Sequence, residues 1–477
     1  MTGFLRKRFH KGMIVEIEGL SVKIARHVAE LSADAVPPGA IHAAKRALLD
    51  GVGVMLGASG LSADVTPFLG LARESAGPAP VLGCGFSSAP ALAALANGAM
   101  AHALDFEDAF DAAPCHPNAS LLPAALAIVA ARPETSGREL LAAIAIGCDL
   151  VCRLGLSLRR PMEEGGWYPP PILGAFGAVA AAARLRRLDA RQVLDAFSLM
   201  LCQVSTPGEI KYDEETVIRA IREAFPAQAA VQATALAEAG VRGFDAPFEG
   251  GGGFYRLFAG GAFDAADLVD GLGMHFWIEQ LSFKRWPACR GTHAYIEAMQ
   301  QLRREHGIAA DDVREIVTTG GPVQRMLVEP AARKSAPATA IDAKFSIPYT
   351  IAAALLDDEV GLESFSTAAL ARGEAQRLAR CVRFAEHPDW GRDRAASGRL
   401  ELRLGNGETL AAEIDVALGH YSRPLDDAML DDKFGRCAIH AAIPLDAGAA
   451  EALARTIWSL DDASSCNSLL CHLCYKI

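Results

Sequence analysis

The sequence predicts a mainly α-helical protein with an α+β insertion: a large all-helical domain plus a smaller α+β lid domain. Three observations predict this class. Apolar residues at helical spacing, rich in alanine and glycine, dominate residues 21–239. Alternating apolar and polar residues appear after about residue 275, and helical patterns return at about residue 426. Helical spacing marks one apolar helix face, whereas strict alternation marks a half-buried strand.

The first helical part is predicted from a stripe of apolar residues three and four positions apart: Ile41, Ala44, Leu48, Val52 and Met55. The same pattern predicts helices at 121–131, 140–154, 174–185 and 227–237. Several of these segments are apolar nearly all round, and small residues allow close helix packing. We therefore expect them at the centre of a helical bundle.

The α+β part is predicted from β-rich residues 313–319 and from two alternating runs, 400–404 and 410–416, on either side of Asn406-Gly407. Alternating runs around Asn-Gly indicate a β-hairpin. Helical runs at 292–305 and 346–356 precede the hairpin, and helices at 426–438 and 447–460 follow it. The predicted division is a helical domain in two parts, 1–274 and 419–477, with a lid domain at 275–418.

The composition narrows the class of protein. The chain has 477 residues, of which 51% are hydrophobic and 22% charged, as in an ordinary globular enzyme. Its net charge of −11 disfavours a nucleic-acid partner, which needs a basic surface. The basic N-terminus has no apolar core typical of a secretory signal, and the charge-poor run at 165–183 contains three prolines, so we expect no membrane span and a cytoplasmic location. Eleven scattered cysteines predict free thiols.

The richest chemical motif lies in residues 97–118, which hold two imidazoles and four carboxylates among alanines. Such groups are costly to bury unless they are paired or used in chemistry. The spacing of His102, Asp105 and Asp108 predicts one helix face. His116 precedes a proline, which favours an extended backbone and a ring that projects from a loop. The motif indicates an acid/base cluster; the alternative is a solvated helix end with a core histidine.

Three further motifs supply candidate site residues. Lys284, Arg285, Arg290 and His293 surround a proline-shaped turn before a helix, which suits a carboxylate-binding site, or else is a solvated basic loop with a core histidine. Lys344 precedes an apolar helix, so its charge needs a counter-charge. It either binds a substrate or forms an ion pair with Asp342.

The fourth motif is a loop of glycines and prolines at 165–171. Its Tyr168 can exchange a proton, or can simply pack against the prolines. No Gly-x-Ser-x-Gly elbow and no phosphate loop occur in the sequence.

These motifs resemble the signature of the MmgE/PrpD family. The matching strings, in order from about residue 21 to 460, are NGAMAHALDFEDAF…HPNASLLPAALA, KRWPACRGTHAYIEAM, DAKFSIPYTIAAAL and PLDDAMLDDKF. The resemblance implies a helical domain with an α+β lid, usually a homodimer, and no metal or organic cofactor. It also implies small di- or tricarboxylate substrates, because the family includes 2-methylcitrate dehydratase, cis-aconitate decarboxylase and an iminodisuccinate epimerase.

The resemblance also suggests site residues. Asp105, His116 and His293 match acidic and histidine active-site positions of the family, and Lys344 matches a cationic one. The sequence departs from the family at Ala109, where a hydroxyl residue is common. It also departs at Tyr168, where a histidine is common, and near 219–222, where arginines replace a lysine.

The sequence therefore predicts a cofactor-independent hydro-lyase that removes a proton next to a carboxylate, at a site between the two domains. The catalytic candidates are Asp105, His116, Tyr168 and His293, with Asp105 orienting His116. The substrate-binding candidates are His102, Arg222, Lys284, Arg285, Arg290 and Lys344; no metal ligand is predicted. The alternatives are an epimerase that uses a tyrosine and a histidine as two bases, a decarboxylase of the cis-aconitate type, and a non-catalytic binder of small acids. A metal-dependent lyase is disfavoured.

Overall fold

The computed structural model describes residues 19–213, 216–391 and 394–474. The basic N-terminal segment discussed above lies outside these residues. Within them the chain forms a large helical part, then a small mixed sheet flanked by helices, and then helices again. The predicted fold class, mainly α with a smaller α+β part, is confirmed.

The first helical part contains a run of helices and one short hairpin. Its helices are α1 (Leu20–Glu30), α2 (Pro38–Leu61), α3 (Thr66–Arg73), α4 (Pro90–Ala103), α5 (Pro117–Ala131), α6 (Gly137–Ser157), α7 (Pro169–Leu185), α8 (Ala190–Leu201), α9 (Ile218–Ile221), α10 (Ala224–Glu238), α11 (Phe254–Ala259) and α12 (Ala265–Val269). Strands β1 (Ala79–Val81) and β2 (Phe86–Ser88) form an antiparallel hairpin that the sequence analysis did not predict.

The α+β part and the C-terminal helices follow. The strands are β3 (Val313–Gly320), β4 (Val382–Glu386), β5 (Gly398–Leu404) and β6 (Thr409–Ile414). The helices around them are α13 (His293–His306), α14 (Pro322–Arg325), α15 (Ala331–Ser335), α16 (Ala340–Lys344), α17 (Ile347–Leu356), α18 (Thr367–Leu370) and α19 (Gly373–Arg380). The chain then returns through α20 (Asp427–Ala438), α21 (Ala447–Trp458) and α22 (Asn467–Leu473).

The centre of the helical part is formed by α4, α5, α6, α7 and α10, which pack against one another. Helices α5 and α7 are buried on nearly every side. Helices α6 and α7 approach closely because glycines face each other: a Cβ on Gly147 would lie 2.6 Å from the carbonyl oxygen of Gly177. This close packing explains the abundance of small residues and fixes the ends of α4 and α5, which carry the acidic motif.

The C-terminal helices complete the helical part. Helix α20 packs along α2, and α21 also contacts α2. The two ends of the described chain therefore share one core, while the sheet lies in the segment between them.

The sheet of the α+β part has the strand order β4-β3-β5-β6. Strand β3 is parallel to β4 and antiparallel to β5, and the β5–β6 hairpin turns at Gly407, which has a φ of +89°. Glycine is favoured there because a side chain is strained at positive φ. Helix α13 packs on β5 and β6, and Arg290, just before this helix, donates a hydrogen bond to Asp111 of the acidic motif.

One helix, Gly137–Ser157, is long and apolar enough to cross a membrane, and the bent pair α2 and α3 passes the same test if it is taken as one span. The most apolar window of Gly137–Ser157 is 94% buried inside the protein. Such burial is the environment of a core helix.

Candidate active site

The candidate site is built around the loop between α4 and α5, residues 104–116, which we call the acidic loop. Helix α4 ends at Ala103, and Asp105 has a φ of +47°, an unusual value for a residue with a side chain. The helical row predicted for His102, Asp105 and Asp108 is therefore wrong, because the helix stops inside it. The turn folds the carboxylates back over His102, and α5 begins at Pro117 with His116 at its N-cap.

Glu107 contacts both imidazoles of the motif. Its Oε1 lies 2.5 Å from Nδ1 of His102 and 2.9 Å from Nδ1 of His116. Burial opposes the ionisation of Glu107, but the imidazoles and the ammonium of Lys284 hold its pKa well below the usual value. Asp105, which the sequence analysis assigned to His116, contacts other groups.

Asp105 binds a lysine from the α+β part. Lys284 donates from Nζ to Oδ1 of Asp105 at 2.6 Å and to its carbonyl oxygen at 2.9 Å, and both side chains are fully buried. Burial alone would raise the pKa of Asp105, but Lys284 and His102 lower it. Burial likewise opposes the charge on Lys284, yet Asp105 and Glu107 raise its pKa. Together these pKa shifts favour a charged pair that joins the two parts of the chain.

Lys344 also reaches the acidic loop. Its Nζ donates to the carbonyl oxygen of Leu104 at 2.5 Å, and Asp342 instead binds Arg333. Burial lowers the pKa of Lys344 to about 7, with partial compensation by Asp105. At neutral pH this amine can therefore both hold and release a proton.

Arg222 forms the opposite wall of the site. It donates from one terminal nitrogen to Nε2 of His102 and from Nε to Glu223 at 3.0 Å, while Ser120 donates to the second oxygen of Glu223. The other terminal nitrogen of Arg222 is buried and has no hydrogen-bond partner among the described residues. Burial and the adjacent Arg222 lower the pKa of His102 to about 3, so this imidazole is neutral.

Tyr168 lies beside this arginine. The guanidinium carbon of Arg222 is 5.2 Å from the centre of the tyrosine ring, and Tyr168 is only 6% exposed to solvent. Tyr168 is the N-cap residue of α7, and the three prolines after it occupy the first turn of that helix. Proline is well tolerated there because those N–H groups have no helical acceptor.

Arg290 and His293 contact each other at the edge of the site. Arg290 donates from Nε to Asp111 at 3.2 Å, and its NH1 lies 3.2 Å from Nδ1 of His293. The other ring nitrogen of His293 lies 3.1 Å from the carbonyl oxygen of Ala288. Burial and Arg290 hold the pKa of His293 well below its usual value. Both ring nitrogens of His293 therefore have protein partners. This geometry favours a role in stabilising the fold over the predicted catalytic role.

Arg285 faces a separate cavity. It binds Glu359, and Arg436 of α20 binds the second oxygen of the same carboxylate. These residues line a cavity of about 760 Å³ that borders Phe106 of the acidic loop. The side chain of Arg285 therefore binds Glu359, whereas Arg222 and Lys284 contact the histidine–carboxylate cluster.

Lys433 of α20 was not predicted as a site residue, although it lies in the family-like string PLDDAMLDDKF. Its buried ammonium binds Asp50 at 2.6 Å, the carbonyl oxygen of Phe106 at 2.7 Å and that of Lys284 at 3.0 Å. One side chain thus joins α2, the acidic loop and the loop that carries Lys284. The sequence did contain a signal for this role: Lys433 lies at helical spacing from Leu430 and Cys437, on the face of α20 that is buried.

The ligand atoms of His102, Glu107 and His116 lie within 4.8 Å of one another, a spacing compact enough for a metal ion. However, Nε2 of His102 faces the Arg222 guanidinium, and the Lys284 ammonium neighbours Glu107. Like charges so close oppose a divalent cation. The cluster is better explained as a hydrogen-bonded one.

Asp108 gives a prediction about stability and pH. Burial, with Asp50 and Glu107 nearby, raises its pKa to about 8. Between about pH 4 and pH 8 the folded protein therefore binds a proton that the unfolded chain has lost, and stability falls as pH rises through this window. As the pH rises from 5 to 8, we expect the unfolding temperature of Asp108→Asn to fall less than that of the wild type. Thermal unfolding of both proteins at several pH values measures this effect. The same fall in unfolding temperature for both proteins would contradict the prediction.

Comparison with known proteins agrees with this architecture. The model of the MmgE/PrpD N-terminal domain matches residues 22–265, and the model of the MmgE/PrpD C-terminal domain matches residues 286–458. The chain therefore belongs to the MmgE/PrpD family.

Its curated relatives are enzymes. The chain is 25% identical to the cis-aconitate decarboxylase of Mus musculus over 473 residues, which cover 95% of this chain and 93% of that protein. It is 25% identical to the Homo sapiens cis-aconitate decarboxylase over 80% of this chain and 78% of that protein. It is 24% identical to a cis-aconitate decarboxylase-like protein of Aspergillus oryzae over 94% of this chain and 96% of that protein.

Proposed function

We propose that this protein is a cofactor-independent lyase, in the first place a hydro-lyase, that acts on a small di- or tricarboxylate by removing a proton next to a carboxylate. One observation carries the proposal. A largely buried cluster of two histidines and two carboxylates lies against the cations of Lys284 and Arg222, and one terminal nitrogen of Arg222 has no hydrogen-bond partner in the described part of the chain. A buried donor of this kind is ready to bind a carboxylate.

The acid/base chemistry follows from the partners of each group. His116 is partly exposed, and its Nε2 has no hydrogen-bond partner among the described residues, so it can accept the α-proton. The C–H electrons then form the C=C bond, and hydroxide leaves the β-carbon. Lys344 or Tyr168 gives that hydroxide a proton, which completes water. Lys284 and Arg222 stabilise the dianionic enediolate, a contribution of about 3 kcal/mol for each well-placed donor.

Two other reactions also pass through a carbanion next to a carboxylate, which the same cations can stabilise. In a decarboxylation the C–C bond electrons stay on the α-carbon as CO2 leaves, and an acid then protonates that carbon. The names of the curated relatives favour this candidate. In an epimerisation Tyr168 would protonate the face opposite His116. A non-catalytic binder of small acids would bind without any of these steps.

A panel of di- and tricarboxylates, including imino- and amino-linked ones, followed by NMR in heavy water, separates these candidates. Formation of an alkene without loss of CO2 supports the hydro-lyase, and release of CO2 supports the decarboxylase. Deuterium at the α-carbon without loss of water supports the epimerase. Tight binding with neither turnover nor exchange supports the binder.

We expect the activity to survive removal of metals. The two cations beside the cluster, Arg222 and Lys284, already supply the positive charge that an enediolate needs. Dialysis against EDTA should leave kcat unchanged within error. Complete loss of turnover that one divalent metal restores would contradict the proposal of metal-free chemistry.

A further inference from the structure

Glu107 was not among the residues predicted for the site, yet it holds both imidazoles with one oxygen atom. The Oε1 of Glu107 lies 2.5 Å from Nδ1 of His102 and 2.9 Å from Nδ1 of His116. The neighbouring carboxylates do not share this position. Asp105 is 3.8 Å from Nδ1 of His102, and the side chain of Asp108 accepts from Asn118 at 3.2 Å.

These contacts assign the ring tautomers. A carboxylate oxygen only accepts hydrogen bonds, so each Nδ1 that faces Glu107 carries a proton. In His102 the other nitrogen accepts from Arg222, which can only donate. In His116 the carbonyl oxygen of Asp108 lies 2.9 Å from the same Nδ1 and is a second acceptor that favours the same tautomer. The Nε2 of His116 is then the nitrogen with the free lone pair.

We propose that Glu107 is a positioning residue, which acts with the backbone carbonyl oxygen of Asp108 to keep Nδ1 of His116 protonated and its Nε2 free to take the substrate proton. This inference rests on the proposed function for its role in turnover, but the tautomer is a property of the free protein. The charge of Glu107 also stabilises the imidazolium that forms when Nε2 accepts a proton, because a hydrogen bond to a charged partner is the stronger kind.

Two substitutions separate the hydrogen bond from the charge. Glu107→Gln keeps an oxygen that can accept from Nδ1 but removes the charge, so we expect the wild-type tautomer and a kcat about tenfold lower. Glu107→Leu removes the carboxylate acceptor and its charge and leaves the Asp108 carbonyl oxygen beside Nδ1 of His116, so we expect a larger share of the other tautomer than in the wild type and a kcat about a hundredfold lower or more. In both variants KM should stay within about threefold, because Glu107 binds the base rather than the substrate.

The ¹⁵N chemical shifts of the His116 ring, measured without substrate, report the tautomer. Glu249→Gln is the control, because Glu249 also accepts hydrogen bonds, from Ser21, outside the acidic loop. It should leave both the His116 shifts and kcat unchanged.

A Leu variant with the wild-type tautomer and a kcat within about threefold of the wild type would overturn the proposal. If the Leu variant does not fold, the Gln variant decides, and a wild-type kcat in it would overturn the proposal. If no carboxylate is turned over at all, the proposed function fails while the ring shifts still show whether Glu107 sets the tautomer.

Discussion

Replacing His116 with alanine is expected to lower kcat by about a hundredfold or more while the fold persists, because the variant loses the group that accepts the α-proton. His116 is the most exposed member of the histidine–carboxylate cluster, and its side chain is 18% accessible to solvent. Its loss therefore leaves a small opening instead of a large buried void. Steady-state kinetics on the best substrate of the panel, with circular dichroism, measure the effect.

The matched controls are two other histidines. His306→Ala, at an exposed position at the end of α13, should change neither kcat nor stability. His293→Ala should instead lower the unfolding temperature, because both ring nitrogens of His293 hold buried partners. Added imidazole should restore part of the rate of His116→Ala. A His116→Ala variant with the wild-type rate would contradict its role as the base.

Replacing Lys284 with methionine is expected to have the largest effect on the folded state. The variant leaves the carboxylate of Asp105 buried without its cation, and removing one partner of a buried ion pair costs about 3–5 kcal/mol. It also removes a cation that the proposed reaction uses, so turnover should fall as well. Chemical denaturation measures the free energy of unfolding, and kinetics measure the activity.

A second substitution distinguishes the two effects. Asp105→Asn combined with Lys284→Met removes the unpaired charge, so most of the free energy of unfolding should return while the activity stays low. Lys23→Met, at an exposed position of α1, is the control. It should change the free energy of unfolding by no more than about 0.5 kcal/mol and leave kcat unchanged. If the single Lys284 variant is as stable as the wild type, the interpretation of Lys284–Asp105 as a buried ion pair is wrong.

Much of the fold could be predicted because periodicity is a local property. The helices predicted at 292–305, 346–356 and 426–438 lie at His293–His306, Ile347–Leu356 and Asp427–Ala438, and the Asn-Gly turn joins β5 to β6. Strand β4 and the β1–β2 hairpin were not predicted from the sequence. These strands are three to five residues long, and such short strands are defined by their pairing partners more than by their own pattern.

The candidate site was predicted in outline and corrected in detail. The sequence located the acidic loop and the lysine-rich turn because ionisable groups stand out among alanines. Helical spacing predicted that His102, Asp105 and Asp108 share one helix face, and Asp105 was predicted to orient His116, but the helix ends at Ala103. Glu107 takes the histidines and Asp105 takes Lys284.

The sequence by itself determined the fold class, the family and the residue types of the site, because periodicity and short motifs are written along the chain. Only the tertiary structure decided which cation meets which carboxylate. Lys284, Lys344 and Lys433 bind the acidic loop from 179, 240 and 327 positions away along the chain. Such contacts depend on how helices and loops pack. The attraction between two charges depends on their distance, so the sequence alone does not show which lysine binds which carboxylate.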